Sequence, residues 1–514
     1  MPLTENQLTG HRLRDFVEGL QGSDEIQKIE HDVDMFEVAR RLDANKSAVH
    51  FTSISKCSIE LIGNVMGSRS RLASAFGVPE SGLLREVIER VGNPIPPRVV
   101  QSSEAPVHEI VLLDDEADFT RLPVHLQHAE DGGPYISASI DITESLDKKR
   151  RNVGYRRMML RGRKEAGIDL IAPSDLRVMY EEFRAAGKRM PLVFVVGSHP
   201  VDCYAAVCQA EVDDEVALMG AMRREAVPMV KCKTIDAYAP ADAEVVLEGY
   251  IDELGWREEE GPFGEFLGYV GMVKRNPVFH LTAITMRRDA LFQSATIGGK
   301  FLGRTDTAQL CALRTEATAW AALKTAVREL KAVYCPPSSG GMFNLRVALK
   351  QRYPGEAANA IAAVFGSIAD VKNVFVVDDD IDIFSDEQME WALATRFQPA
   401  RDLTVFAGMR AMPLDPSLDG ARVGSKAGFN LTLPFGKRGN SEFAVPKIPE
   451  IKFWGTASVK EALAAGPQTF FELMQASGKN DGREVVIALD DLRQQGKLER
   501  TPEGKYQLKQ ATGT

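Results

Sequence analysis

Between Pro134 and Met286 the chain breaks into short runs rich in Val, Ile, Tyr and Thr: YISASIDIT, NVGYRRMML, PLVFVVG, AEVVLEGYID and PVFHLTAITM. β-branched and aromatic residues pack well on a pleated surface, and so many short strands separated by turn signals predict a sheet that curls into a barrel. Helical stretches interrupt it. The barrel cannot be the whole molecule, because 514 residues exceed what one hydrophobic core organises. From Leu13 to about Arg121, helix-period stretches such as DMFEVARRL and SRLASAFGV alternate with apolar runs such as HEIVLL. After the barrel, DTAQLCALRTEATAWAALKTAVREL lacks Gly and Pro and reads as one long helix. FNLRVALK, AANAIAAVFGSI and VKNVFVVDDDIDIF then resume an α/β alternation. The expected fold class is α/β (α+β). Its divisions are an N-terminal α/β domain over 1–130, a barrel domain over 131–310, a linking helix over 311–335 and a C-terminal α/β domain over 336–450.

PFGKRGNSEFAVPKIPEIKFWG, with Pro434, Pro446 and Pro449, reads as a connecting segment. Beyond it, 458–514 predicts two helices and then KLERTPEGKYQLK, whose two short runs flank Pro502, Glu503 and Gly504, a small winged-helix-like tail. Such units bind DNA or pack against a neighbour. Here Lys and Arg alternate with Glu484, Asp490, Asp491, Glu499 and Glu503, and the chain carries a net charge of −10. Phosphate binding needs clustered cations, so no nucleic-acid partner is expected. Cys57, Cys203, Cys208, Cys232, Cys311 and Cys335 include no C-x-x-C pair, which argues against a zinc ribbon or a disulfide framework. MPLTENQLTGHRLRDF carries charges where a signal peptide is apolar, and no run approaches the ~20 apolar residues of a membrane span. A cytoplasmic protein with no membrane partner is expected.

The stretch most able to carry chemistry is Glu260-Gly-Pro-Phe-Gly-Glu265, followed by FLGYVG. Gly261 and Gly264 permit unusual backbone and Pro262 fixes one dihedral, so two acids could be aimed into one cleft. Neighbouring carboxylates do not ionise independently, and one can remain protonated to act as an acid. From the residues alone, a solvated acidic turn continuing Glu258 and Glu259 is an equal reading. Asn152-Val-Gly-Tyr-Arg-Arg157 weighs against it, because an arginine on a barrel strand can orient a carboxylate by a forked hydrogen bond.

Together N-V-G-Y-R-R and E-G-P-F-G-E resemble the signature of the UbiD decarboxylase family. APSDLRVMYEEF, VKCKTIDAYAPADAEVVLEG, DDDIDIF and VGSKAGFNLTLPF resemble further family segments, in family order. The resemblance weakens in the first hundred residues and stops at the tail. It implies a split β-barrel that binds a prenylated FMN, and a catalytic set of one arginine and two glutamates. By spacing these are Arg157, rather than Arg156, with Glu260 and Glu265. It further implies a divalent ion, Mn²⁺ or Mg²⁺, on Asn152, Asp175 and Glu215, and a K⁺ nearby. Oxygen ligands suit such hard cations. Family members have histidine where this chain has Asp175, a departure that adds negative charge to the site. Asn152, Arg157 and Lys426 would hold the cofactor, with Lys426 reaching its phosphate. Ser294, Thr296, Asn430 and Thr432 would line the substrate pocket.

The reaction implied is non-oxidative, reversible decarboxylation of an aromatic, heteroaromatic or α,β-unsaturated acid, with the flavin as electron sink. Glu265 would donate the proton, with Arg157 and Glu260 as the supporting pair. The implied partners are a small-molecule carboxylic acid, a flavin prenyltransferase that supplies the cofactor, and further copies of the chain in a homodimer or homohexamer. Two other classes compete. An FMN-dependent oxidoreductase on a split barrel would need a hydride donor, and no nicotinamide fingerprint supports it. A nucleic-acid-binding regulator acting through the tail is disfavoured by charge. His125-x-x-His128 reads as structural, since Pro123 and Gly132-Gly133-Pro134 argue against a helix that would present both rings to a metal. Asp378-Asp379-Asp380-Ile-Asp382 lacks the EF-hand spacing and reads as a strand end. Gly298-Gly299-Lys300 and Gly340-Gly341 are too short to be phosphate loops.

Overall fold

A computed structural model describes residues 10–210, 212–437, 443–450 and 454–509. The first nine residues of the start, and 438–442 and 451–453 of the connecting segment, lie outside them. Two compact units divide the chain, Met1–Thr432 and Leu433–Thr514.

At the centre of the first unit are the strands Tyr135–Glu144, Arg151–Leu160, Glu165–Ile168, Met190–Val196, Val245–Ile251 and Val278–Met286. They join edge to edge in the order 245–251, 190–196, 135–144, 151–160, 165–168, 278–286. The last pairs back onto the first, which closes a barrel of antiparallel neighbours. Alternation along each strand gives the two faces separate tasks. Leu192, Phe194, Val196, Val245 and Leu247 share one core with Met158, Ile168 and Phe279, and the helix Asp175–Ala185 adds Leu176, Met179, Tyr180 and Phe183 to it. Val193, Val195 and Val246, the intervening residues, join Ile140, Ile142 and Val153 in a second core with N-terminal side chains such as Leu72, Phe76 and Leu83.

Two strands cross the expected boundary at 130. Leu291–Ser294 leaves the barrel segment and pairs in parallel with Glu60–Gly63, completing a sheet with Ile26–Ile29 and Ala48–Phe51. In exchange Ile110–Leu113, part of the HEIVLL run, pairs with the barrel strand Val278–Met286. A strand's sequence reports that it is half-buried, not which neighbour it pairs with.

The long helix runs Asp306–Ala326, capped by Thr305, whose side chain accepts from Ala308 N. It starts before the expected 311 and stops short of 335, because Leu330–Tyr334 turns back as an edge strand. That strand opens the C-terminal sheet, ordered 330–334, 344–349, 373–378, 423–430, 403–410. Asp378 ends its third strand, as the acidic run suggested.

Among its described residues the second unit holds three helices rather than two: Val459–Ala464, Phe470–Ser477 and Gly482–Gln494, then a hairpin of Leu498–Arg500 and Tyr506–Leu508. Gly466 and Pro467 separate the first two. Leu463, Leu473, Val485, Leu489 and Leu492 form their core. Among the described residues no helix is long and apolar enough to cross a membrane.

Candidate active site

Arg157 lies on the barrel strand Arg151–Leu160, and the chain leaving the strand Val245–Ile251 brings both glutamates to it. Its guanidinium forks Glu265, with Nη2 3.2 Å from Oε1 and Nη1 3.3 Å from Oε2. Its Nε donates to Glu260 Oε1 at 3.4 Å, and its Cζ lies 4.4 Å from the Phe263 ring centre. Both glutamates are buried. The expected trio is therefore brought together. Arg156 is engaged elsewhere, donating at 3.0 Å to both Asp141 Oδ1 and the Asp169 carbonyl.

The loop is shaped as its glycines require, though not both for the expected reason. Gly261 has φ of +96°, in the left-handed region, and its bond to Pro262 is cis. Gly264 is not in that region: a Cβ there would sit 2.3 Å from His128 Nδ1, so its role is close approach. His128 and Asp131 thus brace the loop: Asp131 Oδ1 accepts from Gly264 N at 2.8 Å and Oδ2 from His128 N at 3.0 Å. Gly271 gives Glu265 its room, since a Cβ there would lie 2.8 Å from Glu265 Oε1.

Three polar partners were not legible as site residues. Asp169 Oδ2 accepts from Arg157 Nη2 at 3.2 Å and from Lys274 Nζ at 2.8 Å. Lys274 is also 3.7 Å from Glu265 Oε1, and Asn276 donates to Glu260 Oε2 at 3.3 Å. One signal could have found Lys274 and Asn276. Glu258-Glu259-Glu260 pairs antiparallel with Lys274-Arg275-Asn276, so an acidic run faces a basic one across a hairpin. Burial pushes the Glu265 carboxyl above the ordinary range; Arg157 and Lys274 pull it back, and Asp169 and Glu260 add to the rise. Burial does the same to the Tyr135 phenol, with Glu260 next to it.

Asn152 is buried on the same strand as Arg157. Glu215 precedes the helix Val216–Arg223 and accepts from Val153 N at 2.6 Å. Burial first, then Asp175, Asp141 and Asp214, push its carboxyl up to about 7. Asp175 stands exposed in the first turn of its helix. Among the described residues no three His, Cys, Asp or Glu side chains converge as a ready ion site, so Asn152 would have to complete the set.

Ser294 is buried, with its Oγ 3.4 Å from Ser137 Oγ. Thr296 bonds Asp306 and helps line a cavity of about 760 Å³ against the N-terminal helix Met35–Ala44. The described contacts of Asn430 and Thr432 are local: Asn430 Oδ1 accepts from Thr432 N and Oγ1 at the end of a C-terminal strand. Lys426 is buried on that strand and donates to the carbonyls of Ile368 and Ala369, at 2.9 and 2.8 Å, just past the helix Glu356–Ser367. The structure places these three apart from the described partners of Arg157.

Family models for 3-octaprenyl-4-hydroxybenzoate carboxy-lyase match three stretches: the N-terminal domain over 19–91, the Rift-related domain over 98–301 and the C-terminal domain over 308–431. The chain belongs to the UbiD family of carboxy-lyases. Anhydromevalonate phosphate decarboxylase of Methanosarcina mazei is 29% identical over 438 residues, covering 85% of this chain and 99% of that protein. The UbiD-class enzyme HmfF from Pelotomaculum thermopropionicum, solved with FMN, superposes with a TM-score of 0.80 at 33% identity, over 85% of this chain and 98% of that one. An evolved dimeric form of HmfF was solved with prFMN. The 3,4-dihydroxybenzoic acid decarboxylase AroY of Klebsiella pneumoniae gives a TM-score of 0.78 at 27% identity, over 86% of this chain and 98% of that one. The family models stop at residue 431, where the second compact unit is about to begin.

Proposed function

We propose that this carboxy-lyase removes CO2 from an aromatic, heteroaromatic or α,β-unsaturated carboxylic acid, reversibly, with Glu265 delivering the proton that replaces the carboxylate. The observation that carries this reading is the buried fork of Arg157 on Glu265 with Glu260 on its flank. A proton donor at neutral pH needs a carboxyl raised above its ordinary range but still able to ionise. Burial supplies the rise, and Arg157 opposes it. Glu260, fixed by Asn276, holds the guanidinium in place.

Prenylated FMN would supply the electron sink that loss of CO2 from an sp² carbon requires. FMN and prFMN bound to HmfF support a flavin here. Asn152 and Glu215, with Asp175, fit a divalent cation, Mn²⁺ or Mg²⁺, by their oxygen donors. Excess negative charge around Glu215 and the buried, unpartnered Oδ2 of Asp141 favour a cation there. K⁺ would share the same acidic surroundings. Lys426 gives two of its three N–H bonds to the carbonyls of Ile368 and Ala369 and would offer the third to the cofactor phosphate. In the tail, Lys479, Arg483 and Arg493 are paired with Glu484, Asp481 and Asp490, which supports a packing module rather than a nucleic-acid surface. A homodimer or homohexamer in the cytoplasm, supplied by a flavin prenyltransferase, completes the reading.

Mass spectrometry of protein made with a flavin prenyltransferase, followed by CO2 release from a panel of acids, tests it. Bound prenylated FMN, a divalent metal and release from at least one acid are expected. Full activity with unmodified FMN alone, or after complete metal removal, would overturn it.

A further inference from the structure

Five charged side chains meet at the Arg157 site, and only three belong to the expected set. Lys274 lies in register with Glu260 across a two-stranded ladder, so the backbone that places Glu260 also places Lys274. Its Nζ sits 2.8 Å from Asp169 Oδ2 and 3.7 Å from Glu265 Oε1. Asp169 is itself fixed, because its Oδ1 accepts from Ile171 N at 3.0 Å and its Oδ2 also takes Arg157 Nη2. Arg157 and Lys274 carry two positive charges against three carboxylates, Asp169, Glu260 and Glu265. Fully ionised, these five groups together hold one negative charge in excess. A single proton on Glu265 makes them neutral, and a buried cluster is most stable near neutrality.

We propose that Lys274, anchored by Asp169, is a positioning residue that keeps the Glu265 carboxyl able to lose and regain its proton in each turnover. The inference rests on Glu265 being the donor. Burial alone would hold Glu265 protonated, and a donor that cannot release its proton to the next bond is of no use at the following step. Arg157 opposes burial but is shared among three carboxylates. Lys274 supplies the second cation and Asp169 limits it, so the two act on Glu265 in opposite senses. The remaining groups around the cluster are Tyr135 from the first barrel strand, Arg161 beside Glu260, and the His128–Asp131 brace behind Gly264. None of them offers a second cation to Glu265.

The test is an infrared pH titration of the protonated-carboxyl band, in flavin-free and loaded protein, with the Glu265 signal assigned by its loss in Glu265→Gln. Lys274→Met is expected to raise the midpoint, and the alkaline limb of the turnover profile, by about one pH unit, the lower end for an opposite charge at this range. Asp169→Asn is expected to move both downward. Lys274→Arg, which keeps the charge, should restore the wild-type midpoint. Lys274→Gln gives the same reading if the Met variant does not accumulate. Midpoints that stay put, or that move the same way in Lys274→Met and Asp169→Asn, would overturn the proposal while leaving Glu265 as donor, provided Glu265→Gln is inactive. If Glu265→Gln turns over normally, the donor assignment fails and this inference falls with it.

Discussion

Arg223 and Arg157 each sit among carboxylates, and they are held in opposite ways. Arg223 donates to Asp202 at 2.7 and 2.6 Å and to Asp242 at 2.5 Å, and only 3% of its side chain is exposed. Arg157 touches Glu260, Glu265 and Asp169 at 3.2–3.4 Å with 17% exposed, and it shares Asp169 with Lys274. Short forked bonds at Arg223 leave that cation little reason to rearrange. Longer bonds spread over three carboxylates leave Arg157 able to shift its weight as one of them gains or loses a proton. A closed ion cluster supports a fold; an open one can do acid–base work.

The largest expected effect separates them by chemistry. Glu265→Gln should lower CO2 release by about 10²–10⁴-fold, the range of a general acid, while flavin absorbance shows the cofactor retained. Turnover within about threefold of wild type would shift attention to Glu260 as donor. Stability separates them next. Arg223→Met leaves two buried aspartates unpaired and should cost about 3–5 kcal/mol in a denaturant melt. Arg157→Met should cost less, because Lys274 remains beside Asp169 and Glu265. Equal losses would break the contrast.

Acid should act on His125, a buried ring close to the His128–Asp131 brace. Burial lowers His125 from 6.5 to about 4, so the unfolded chain binds its proton more readily than the folded one does. Its contribution is therefore intact above about pH 6.5 and falls as pH drops toward 4. By linkage that loss is about 2 kcal/mol on reaching pH 5, and His125→Phe should flatten this part of the stability curve. A flat wild-type curve would count against a neutral buried ring. Lys426, a closed cation like Arg223, should show its role without cofactor: Lys426→Met should cost roughly 1–2 kcal/mol in flavin-free protein by orphaning two carbonyls. A role limited to phosphate would leave flavin-free stability unchanged. The smallest effect is expected from deleting Ser458–Thr514, which should leave turnover in place and change assembly, as light scattering would show. Lost catalysis with unchanged assembly and folding would place the tail in the site.

The trio was legible because its chemistry is local: N-V-G-Y-R-R and E-G-P-F-G-E each carry charged residues at fixed offsets beside backbone-shaping glycines. The barrel was legible as well, since alternation of apolar residues is a property of each strand by itself. Helix ends were less so. The linking helix stops at Ala326 because the chain turns into an edge strand, and the tail breaks at Gly466-Pro467. What the sequence by itself determined is thus the kind of most elements and the charged residues that the fold brings together around Arg157. The tertiary structure alone decided which strands trade places between sheets, that Gly264 is small for the sake of His128, and that Asp169 and Lys274 stand beside Glu265. Pairing and charge balance depend on residues far apart in the chain, and their energies exist only once folding has removed the water between them.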